Sequence, residues 1–198
     1  MSKYQFKLSS IYYPNSDIPI NKFNIKDKDF LASIEQKLLE ESYTKFISRL
    51  DKNTALNEDY FINLHKKTFE SLYDFAGMYR DVNMSKGDSQ FCLAKYLHSE
   101  SKRIFSEIEK SEYLKSNNKQ EFAKKIAYFQ GELIALHPFY ELNGRIIRMY
   151  CDMLSLYNGY GLIDYSCVSA DLYIEASINA VKYADCSLLE EIIYKGLE

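Results

Sequence analysis

The sequence has few of the residues that keep a chain unfolded or fibrous. Its 198 residues include only 7 Gly and 3 Pro, while 46% are hydrophobic and 27% are charged. This composition excludes a disordered or collagen-like chain and predicts one globular domain. At this length a single core removes roughly 70% of the unfolded chain's surface from water, so neither a disulfide nor a structural metal is needed for stability.

The sequence also lacks an excess of basic residues and a long apolar run. The 25 Lys and Arg against 28 Asp and Glu give a net charge of -3, which disfavours a dedicated nucleic-acid-binding protein. No stretch reaches the roughly 18 apolar residues that span a membrane, and the N-terminus lacks the apolar segment of a signal peptide. We therefore expect a cytoplasmic protein with no direct nucleic-acid or membrane contact, although export without a cleaved signal leaves no trace in a sequence.

The cysteines are few and lie far apart, with no Cys-x-x-Cys pair among them. They are Cys92, Cys151, Cys167 and Cys186. Their apolar neighbourhoods predict reduced structural thiols. A catalytic cysteine would need a base or a positive charge close in space, which a sequence does not show.

Apolar residues at helical spacing predict a mainly α-helical domain. Residues 1–28, with Pro14, Pro19 and several Asn, indicate an irregular N-terminal arm that packs on the core, and residues 29–198 form a single globular unit. Helices are expected from Asp29 onward and over about 57–73, 93–109, 119–136, 143–158, 169–182 and 187–196.

One segment, from Tyr79 to Cys92, interrupts the helical periodicity. Ser85, Lys86, Gly87 and Asp88 separate two short runs that tolerate an extended backbone, which predicts a β-hairpin. An isolated hairpin buries little and offers an open edge. Strand addition by a partner is one reason for such a hairpin in a helical domain.

The densest group of polar residues is His137-Pro-Phe-Tyr-Glu-Leu-Asn-Gly-Arg-Ile-Ile-Arg148, between two predicted helices. Pro138 fits the end of the first helix, and Asn143 is a good N-cap for the second. Arg145 and Arg148, three residues apart, lie on one face beside the exposed N–H groups of the helix start. This arrangement predicts an anion site suited to phosphate.

These residues together suit the transfer of a nucleotidyl or phosphoryl group from a Mg-nucleotide to a hydroxyl. His137 would remove the proton from the hydroxyl, and Glu141 would hold a Mg²⁺ ion that bridges phosphate oxygens. Each residue alone has a structural alternative, since a lone His is commonly hydrogen-bonded within the fold and Arg is commonly solvated or ion-paired. Their convergence in one short segment favours the catalytic interpretation.

HPFYELNGRIIR closely resembles the Fic signature, HPFx[DE]GNGRxxR. IYYPNSDIPINKFNI resembles the arm that precedes many compact Fic domains, FAGMYRDVNMSKGDSQF resembles the Fic flap hairpin, and ADCSLLEEIIYKGL is similar to the final helix. The resemblance implies a Fic helical bundle with one β-hairpin flap. It also implies transfer of AMP from ATP to a Ser, Thr or Tyr hydroxyl of a target protein.

The resemblance carries roles over to individual residues. His137 matches the general base, Glu141 the Mg²⁺ ligand, and Phe139 an apolar anchor of the loop. The implied nucleotide-binding positions are Leu142, Asn143 at the α-phosphate, Gly144 in the anion hole, and Arg145 and Arg148 at the distal phosphates. The flap positions that would bind the target by strand pairing are Val82, Asn83, Met84, Ser85, Lys86, Gly87 and Phe91.

The sequence departs from the signature at Leu142, where the family has Gly. Gly at such a position permits a positive φ or a close approach to a ligand. A Leu in the left-handed conformation costs about 1 to 2 kcal/mol, and its side chain is expected to crowd the phosphate. Activity is then ordinary, weakened, or directed to another phosphate-containing donor.

Regulation and two rival functions stay open at this point. Many Fic enzymes are inhibited by a helix with the pattern [ST]xxxE[GN]; Ser187 to Glu191 fits only its first part, and Leu188, Leu189 and Ile192 there are expected to be core residues. A separate small antitoxin that carries the inhibitory helix is therefore the predicted partner. The rivals are a Doc-like protein kinase, which the intact Asn-Gly-Arg disfavours, and a degenerate Fic domain that binds without transfer.

Overall fold

The computed structural model describes residues 5–6 and 11–197 of the chain. Within that part the fold is mainly helical, as predicted. The helices are α1 (Lys28–Ile47), α2 (Glu58–Phe69), α3 (Leu97–Lys110), α4 (Lys119–Leu136), α5 (Asn143–Tyr157), α6 (Ala170–Tyr183) and α7 (Ser187–Gly196). Their bounds agree with the periodicity, except that α2 ends several residues earlier and α3 begins several residues later than expected.

Several helices begin at a polar side chain that satisfies a backbone N–H of the first turn. The side chains of Asp27, Asn57, Asn118 and Ser169 do this at the starts of α1, α2, α4 and α6. Helix α4 ends at His137, whose left-handed backbone (φ 46°) closes the helix, and Pro138 follows. Residues at the helix ends themselves therefore determine where α4 stops before the polar segment.

The predicted hairpin forms, but it is part of a larger sheet. Strands β2 (Met84–Lys86) and β3 (Ser89–Gln90) are antiparallel, and Gly87 in the turn between them has a φ of 56°. Strand β1 (Gln5–Phe6) pairs with β2 on its other side. The hairpin prediction is confirmed, and β2 is in addition the central strand of an antiparallel sheet in the order β1-β2-β3.

Helix α4 lies at the centre of the hydrophobic core. It contacts α3, α5, α6 and α7, and Phe122, Ala123, Ile126 and Leu133 on it have no exposed surface. The buried α5 follows directly, so the polar loop between α4 and α5 is anchored at both ends in the core. This placement gives the loop a rigid support, which a catalytic site requires.

The arm and the cysteines complete the fold. Residues 11–27 contain no helix, and Ile18 and Ile25 pack against the core; the division of the chain near residue 28 stays a prediction. All four cysteines are free thiols, and Cys167 is exposed. Among the described helices, none combines the length and the apolar character that a membrane span requires.

Candidate active site

The loop between α4 and α5, residues 137–142, has a left-handed residue at each end. His137 has a φ of 46° and Leu142 a φ of 66°. The left-handed conformation costs an L-residue about 1 to 2 kcal/mol, so the surroundings must hold both residues in place. Phe139, in the middle of the loop, is fully buried, and its ring stacks on that of His65 with centroids 4.0 Å apart.

Asn143 holds this loop from inside. Its Oδ1 accepts a hydrogen bond from the Phe139 N–H at 2.8 Å, and its Nδ2 donates to the Phe139 carbonyl at 2.7 Å. The side chain has no exposed surface. The prediction that Asn143 is the N-cap is wrong, because α5 begins at Asn143 and Leu142 holds the cap position. The backbone N–H of Asn143 still lies in the first turn, where helices bind anions.

Leu142 adopts the left-handed conformation expected for the family's glycine position. Its side chain is only 5% exposed and belongs to the hydrophobic core. Leu142 is not among the residues that line the cavity beside His137, and the expectation that its side chain crowds a phosphate stays a prediction. Burial in the core offsets the cost of the strained backbone.

The imidazole of His137 contacts both its own helix and the flap. Its Nδ1 lies 3.3 Å from the carbonyl oxygen of Ile134, and its ring stacks on Phe91 of the flap with centroids 3.8 Å apart. A carbonyl oxygen only accepts, so Nδ1 is the donor in this contact, which in the neutral ring leaves the lone pair on Nε2. This tautomer is the one that a general base needs for a hydroxyl approaching Nε2.

Glu141 is held by groups from two distant parts of the chain. Its carboxylate accepts a hydrogen bond of 2.5 Å from the hydroxyl of Tyr12 in the arm, and its backbone carbonyl lies 3.1 Å from His65 Nε2. The Gly77 N–H donates to His65 Nδ1, so Nε2 must carry the proton and donate. Burial lowers the pKa of His65 to about 4, which keeps the ring neutral and this hydrogen bond intact.

Arg80 is a residue that the sequence analysis missed. Its guanidinium is almost fully buried and donates to the carbonyls of His137, Val82, Cys92 and Leu136. Burial lowers its pKa to about 10, so it stays charged at neutral pH. Arg80 therefore joins both ends of the flap hairpin to the end of α4. Arg80 stands between Tyr79 and Asp81 in the sequence, where no pattern indicated those acceptors.

The two arginines of α5 are held in different ways. Arg145 donates from Nη1 to Glu35 of α1 at 2.9 Å, and Tyr73 donates to the other oxygen of that carboxylate. Arg148 lies against two aromatic faces, with its guanidinium carbon 5.8 Å from the ring centroid of Tyr165 and 5.4 Å from that of Tyr173. One arginine is thus ion-paired, and the other is held by cation–π contacts.

A cavity of about 410 Å³ opens beside these residues. His137 and Gly144 lie on one side of it, the flap residues Lys86, Gly87, Ser89 and Phe91 on another. A Cβ placed on Gly144 would meet nothing within 4 Å, so the first turn of α5 is open toward the cavity. The apolar wall of the cavity is formed on α5 and α6 by Ile147, Ile174, Ile178 and Val181. The sequence analysis did not predict these residues as part of the site.

The remaining predicted flap residues have structural partners. Met84 packs with Phe91 in a small apolar cluster against α6, and the Asn83 side chain accepts the Ala94 N–H. Ser85 is paired on both sides, with Gln5 of β1 and Gln90 of β3. The flap is thus attached to the rest of the domain through several of the residues predicted to contact a target.

The candidate inhibitory residue Glu191 is exposed on α7. It borders a surface recess with Gln120 and Tyr194, and none of the residues of the loop between α4 and α5 lines that recess. Leu189 and Ile192 are buried, as expected for core residues. The structure therefore gives Glu191 no contact with the site.

The fold and the site define a helical domain in which a cavity lies at the first turn of a helix, beside a histidine and a β-hairpin. The Fic/DOC family model matches residues 55–155, just over half of the chain. A curated relative from Sinorhizobium fredii, called probable protein adenylyltransferase y4lH, is 30% identical over 91% of this chain and 92% of its own length. The chain belongs to the Fic/DOC family, which confirms the resemblance seen in the sequence.

Other relatives place the chain in the same family. Protein adenylyltransferase VbhT from Bartonella schoenbuchensis is 29% identical over the whole of this chain, which spans 41% of that relative's length. Among solved structures, the BepC protein of Bartonella tribocorum with bound AMPPNP is similar with a TM-score of 0.81 at 20% identity, over 95% of this chain and 96% of that one. This structural likeness confirms the Fic fold.

Proposed function

We propose that the protein is a Mg²⁺-dependent protein adenylyltransferase that transfers AMP from ATP to a Ser, Thr or Tyr hydroxyl of a target protein in the cytoplasm. The observation that carries the proposal is the His137 imidazole, with Nε2 as its basic nitrogen, at the rim of a cavity that also contains the start of α5. Curated relatives at 26% to 30% identity are named as adenylyltransferases.

The nucleotide would lie in the cavity of about 410 Å³. Its base would contact the apolar wall of α6, and its phosphates would lie at the first turn of α5. There the open Gly144 and the N–H groups of the helix start favour negative charge. Asn143 contributes by fixing the loop and by its backbone N–H, since its side chain is already bonded to Phe139. Arg145 and Arg148 would bind the distal phosphates.

Glu141 is the residue that would hold Mg²⁺, and its chemistry fits. It is a nearly buried carboxylate beside the anion site, and no group of three or more potential ligands occurs among the described residues. Mg²⁺ at nucleotide sites is commonly bound by one or two carboxylates and the substrate's phosphates. When bound, the ion would neutralise phosphate charge as it develops.

In the transfer, His137 Nε2 removes the proton of the target hydroxyl. The hydroxyl oxygen then forms a bond to the α-phosphorus, and the bond from that phosphorus to the oxygen of the β-phosphate breaks to release pyrophosphate. Alignment and charge stabilisation supply most of the rate in such transfers. The stacking of His137 on Phe91 couples the base to the flap that would present the target.

The test uses ATP labelled at either the α- or the γ-phosphate, with the purified protein, Mg²⁺ and a bacterial lysate. Adenylyl transfer labels protein only from α-labelled ATP, and a Doc-like kinase labels only from γ-labelled ATP. His137→Ala should abolish labelling, whereas His98→Ala, an exposed histidine on α3, should not. If neither ATP labels protein with the wild type or with Leu142→Gly, the proposal is contradicted and a degenerate domain is favoured. If only the glycine variant labels protein, Leu142 disables the native site.

Inhibition is proposed to come from a separate small antitoxin whose helix approaches Arg148. A groove of about 610 Å³ between α1 and the segment after α5 has Arg148 in its wall and exposes Ile47 and Leu162, which suits an amphipathic helix. Co-expression with the neighbouring small reading frame should yield a complex that Ile47→Glu disrupts. Absence of both a complex and a loss of activity would rule out this partner.

A further inference from the structure

The second arginine of the motif is held by a pair of tyrosines that are far from it in sequence. Tyr165 lies in a short helical turn before α6, and Tyr173 lies in α6. Both ring centroids are within about 6 Å of the Arg148 guanidinium, the range of a cation–π interaction. The two rings meet edge to face, with centroids 5.5 Å apart.

A buried glutamine fixes these two rings. Gln130 of α4 has no exposed surface. Its Nε2 donates to the Tyr173 hydroxyl at 2.8 Å, and its Oε1 accepts from the Tyr165 hydroxyl at 3.0 Å. Because one amide satisfies both phenols, neither ring can turn away from Arg148 without breaking a buried hydrogen bond.

This support differs in kind from an ion pair. Among the residues that the structure describes, no carboxylate lies within ion-pair distance of Arg148. The nearby Asp152 carboxylate accepts from the Tyr43 hydroxyl and the Ile163 N–H instead. A cation–π contact attracts the guanidinium through the face of the ring, whereas a carboxylate binds its N–H groups. The cation–π contacts therefore leave the N–H groups and the charge of Arg148 for a phosphate.

We propose that Tyr165 and Tyr173, locked by Gln130, are positioning residues that orient Arg148 toward the distal phosphates of the nucleotide. The inference rests on the proposed function, because it assumes that Arg148 binds those phosphates. It adds residues that do not belong to the motif and explains how Arg148 is held without a carboxylate. Tyr165 acts through Arg148, and Tyr173 also lines the cavity proposed for the nucleotide.

The test compares the affinities of a non-hydrolysable ATP analogue and of AMP by calorimetry with Mg²⁺. Tyr165→Leu should lower the affinity for the ATP analogue about fivefold and leave the affinity for AMP unchanged, because AMP lacks the phosphates that Arg148 would bind. Tyr165→Phe keeps the ring and should retain most of the affinity. Tyr183→Leu, at an exposed position of α6, is the matched control and should change neither affinity.

Two further measurements distinguish positioning from a structural role. In an Arg148→Ala background, Tyr165→Leu should cause no additional loss. Successive fluorination of a phenylalanine at position 165 preserves the shape but weakens the ring's negative face, so the affinity for the ATP analogue should fall stepwise while AMP affinity stays constant.

Equal weakening of AMP and the ATP analogue, or an additive loss in the double variant, would overturn the inference. No effect of Arg148→Ala on the ATP analogue would overturn the assignment of Arg148 to the distal phosphates, and the inference with it. A normal loss in Arg148→Ala with no loss in Tyr165→Leu or the fluorinated series would overturn the tyrosine support alone.

Discussion

At the scale of single residues, Leu142 shows how a side chain and its backbone can have opposite effects on stability. Its φ of 66° is unfavourable for any residue with a Cβ, whereas its side chain is almost fully buried in the core. Truncation of the side chain to alanine therefore loses packing energy. Truncation to glycine also removes the Cβ, which relieves the backbone strain. These two effects can be separated by comparing two substitutions.

We expect Leu142→Ala to lower the free energy of unfolding by about 2 to 5 kcal/mol, because it leaves a cavity and keeps the strained backbone. Leu142→Gly should be the more stable of the two variants by about 1 kcal/mol. This order reverses the one found in helix interiors. Urea unfolding of both variants measures it, and an alanine variant more stable than the glycine variant would contradict the strained conformation.

His65 predicts a pH dependence of stability. Burial lowers its pKa in the folded protein from 6.5 to about 4, so between these values the unfolded chain binds a proton that the folded protein does not. The contribution of the neutral His65 to the free energy of unfolding is fully present above pH 6.5. It is lost as the pH falls toward 4, by about 3 kcal/mol in all.

The measurement is the free energy of unfolding from pH 7 to pH 4.5 for the wild type, His65→Gln and His98→Gln. The glutamine at position 65 should flatten the curve relative to the wild type, because its amide N–H can still donate but does not titrate. The exposed His98 serves as the control and should leave the curve unchanged. Parallel curves for the wild type and His65→Gln would show that His65 is not held neutral.

At the scale of elements, β1 lies on the edge of β2 that an isolated flap would leave open. Phe6→Pro removes a backbone N–H from this segment and is incompatible with regular pairing. We expect faster hydrogen exchange in β2 and unchanged exchange in α3, measured by mass spectrometry. If β1 excludes a target strand, labelling of protein targets should also rise. Unchanged exchange in β2 would mean that β1 contributes nothing to flap stability.

The elements also show what could be predicted from the sequence. Helical periodicity is local, so it located α4 and α5 and the polar loop between them, and the signature singled out His137 and Glu141 as candidate site residues. The contacts of Arg80, the pairing of β1 with β2 and the tyrosines around Arg148 join residues far apart in the chain, where no periodicity operates. The N-cap prediction for Asn143 failed because Leu142 adopts a left-handed rather than an extended conformation before α5.

At the scale of the whole molecule, the domain depends on how closely other helices approach α4. Gly131 of α4 allows this, because a Cβ there would lie 2.6 Å from the Cys186 Sγ and 3.2 Å from the Ala180 Cβ. Gly131→Ala should therefore destabilise the fold by about 1 to 3 kcal/mol despite its better helix propensity. Cys186→Ala in the same chain should restore part of the loss.

Thermal unfolding of these variants beside Gly144→Ala provides the comparison. Gly144 has open space around its Cβ position, so alanine there should leave the melting temperature unchanged or raise it. Equal melting temperatures for Gly131→Ala and Gly144→Ala would show that α4 and α7 can move apart at no cost. A drop confined to Gly131→Ala would identify this contact as a limit on the packing of the bundle.

The pairing of β1 with the flap has a consequence for how tightly a target must bind. A strand that belongs to the same chain competes at an effective concentration that, for short tethers, lies in about the millimolar range. A target that relied on backbone pairing alone would have to outcompete this internal strand while its own cellular concentration is far below the millimolar range. Contacts outside the flap would then decide which proteins are modified, and the internal strand would act as a threshold against weak, non-cognate encounters.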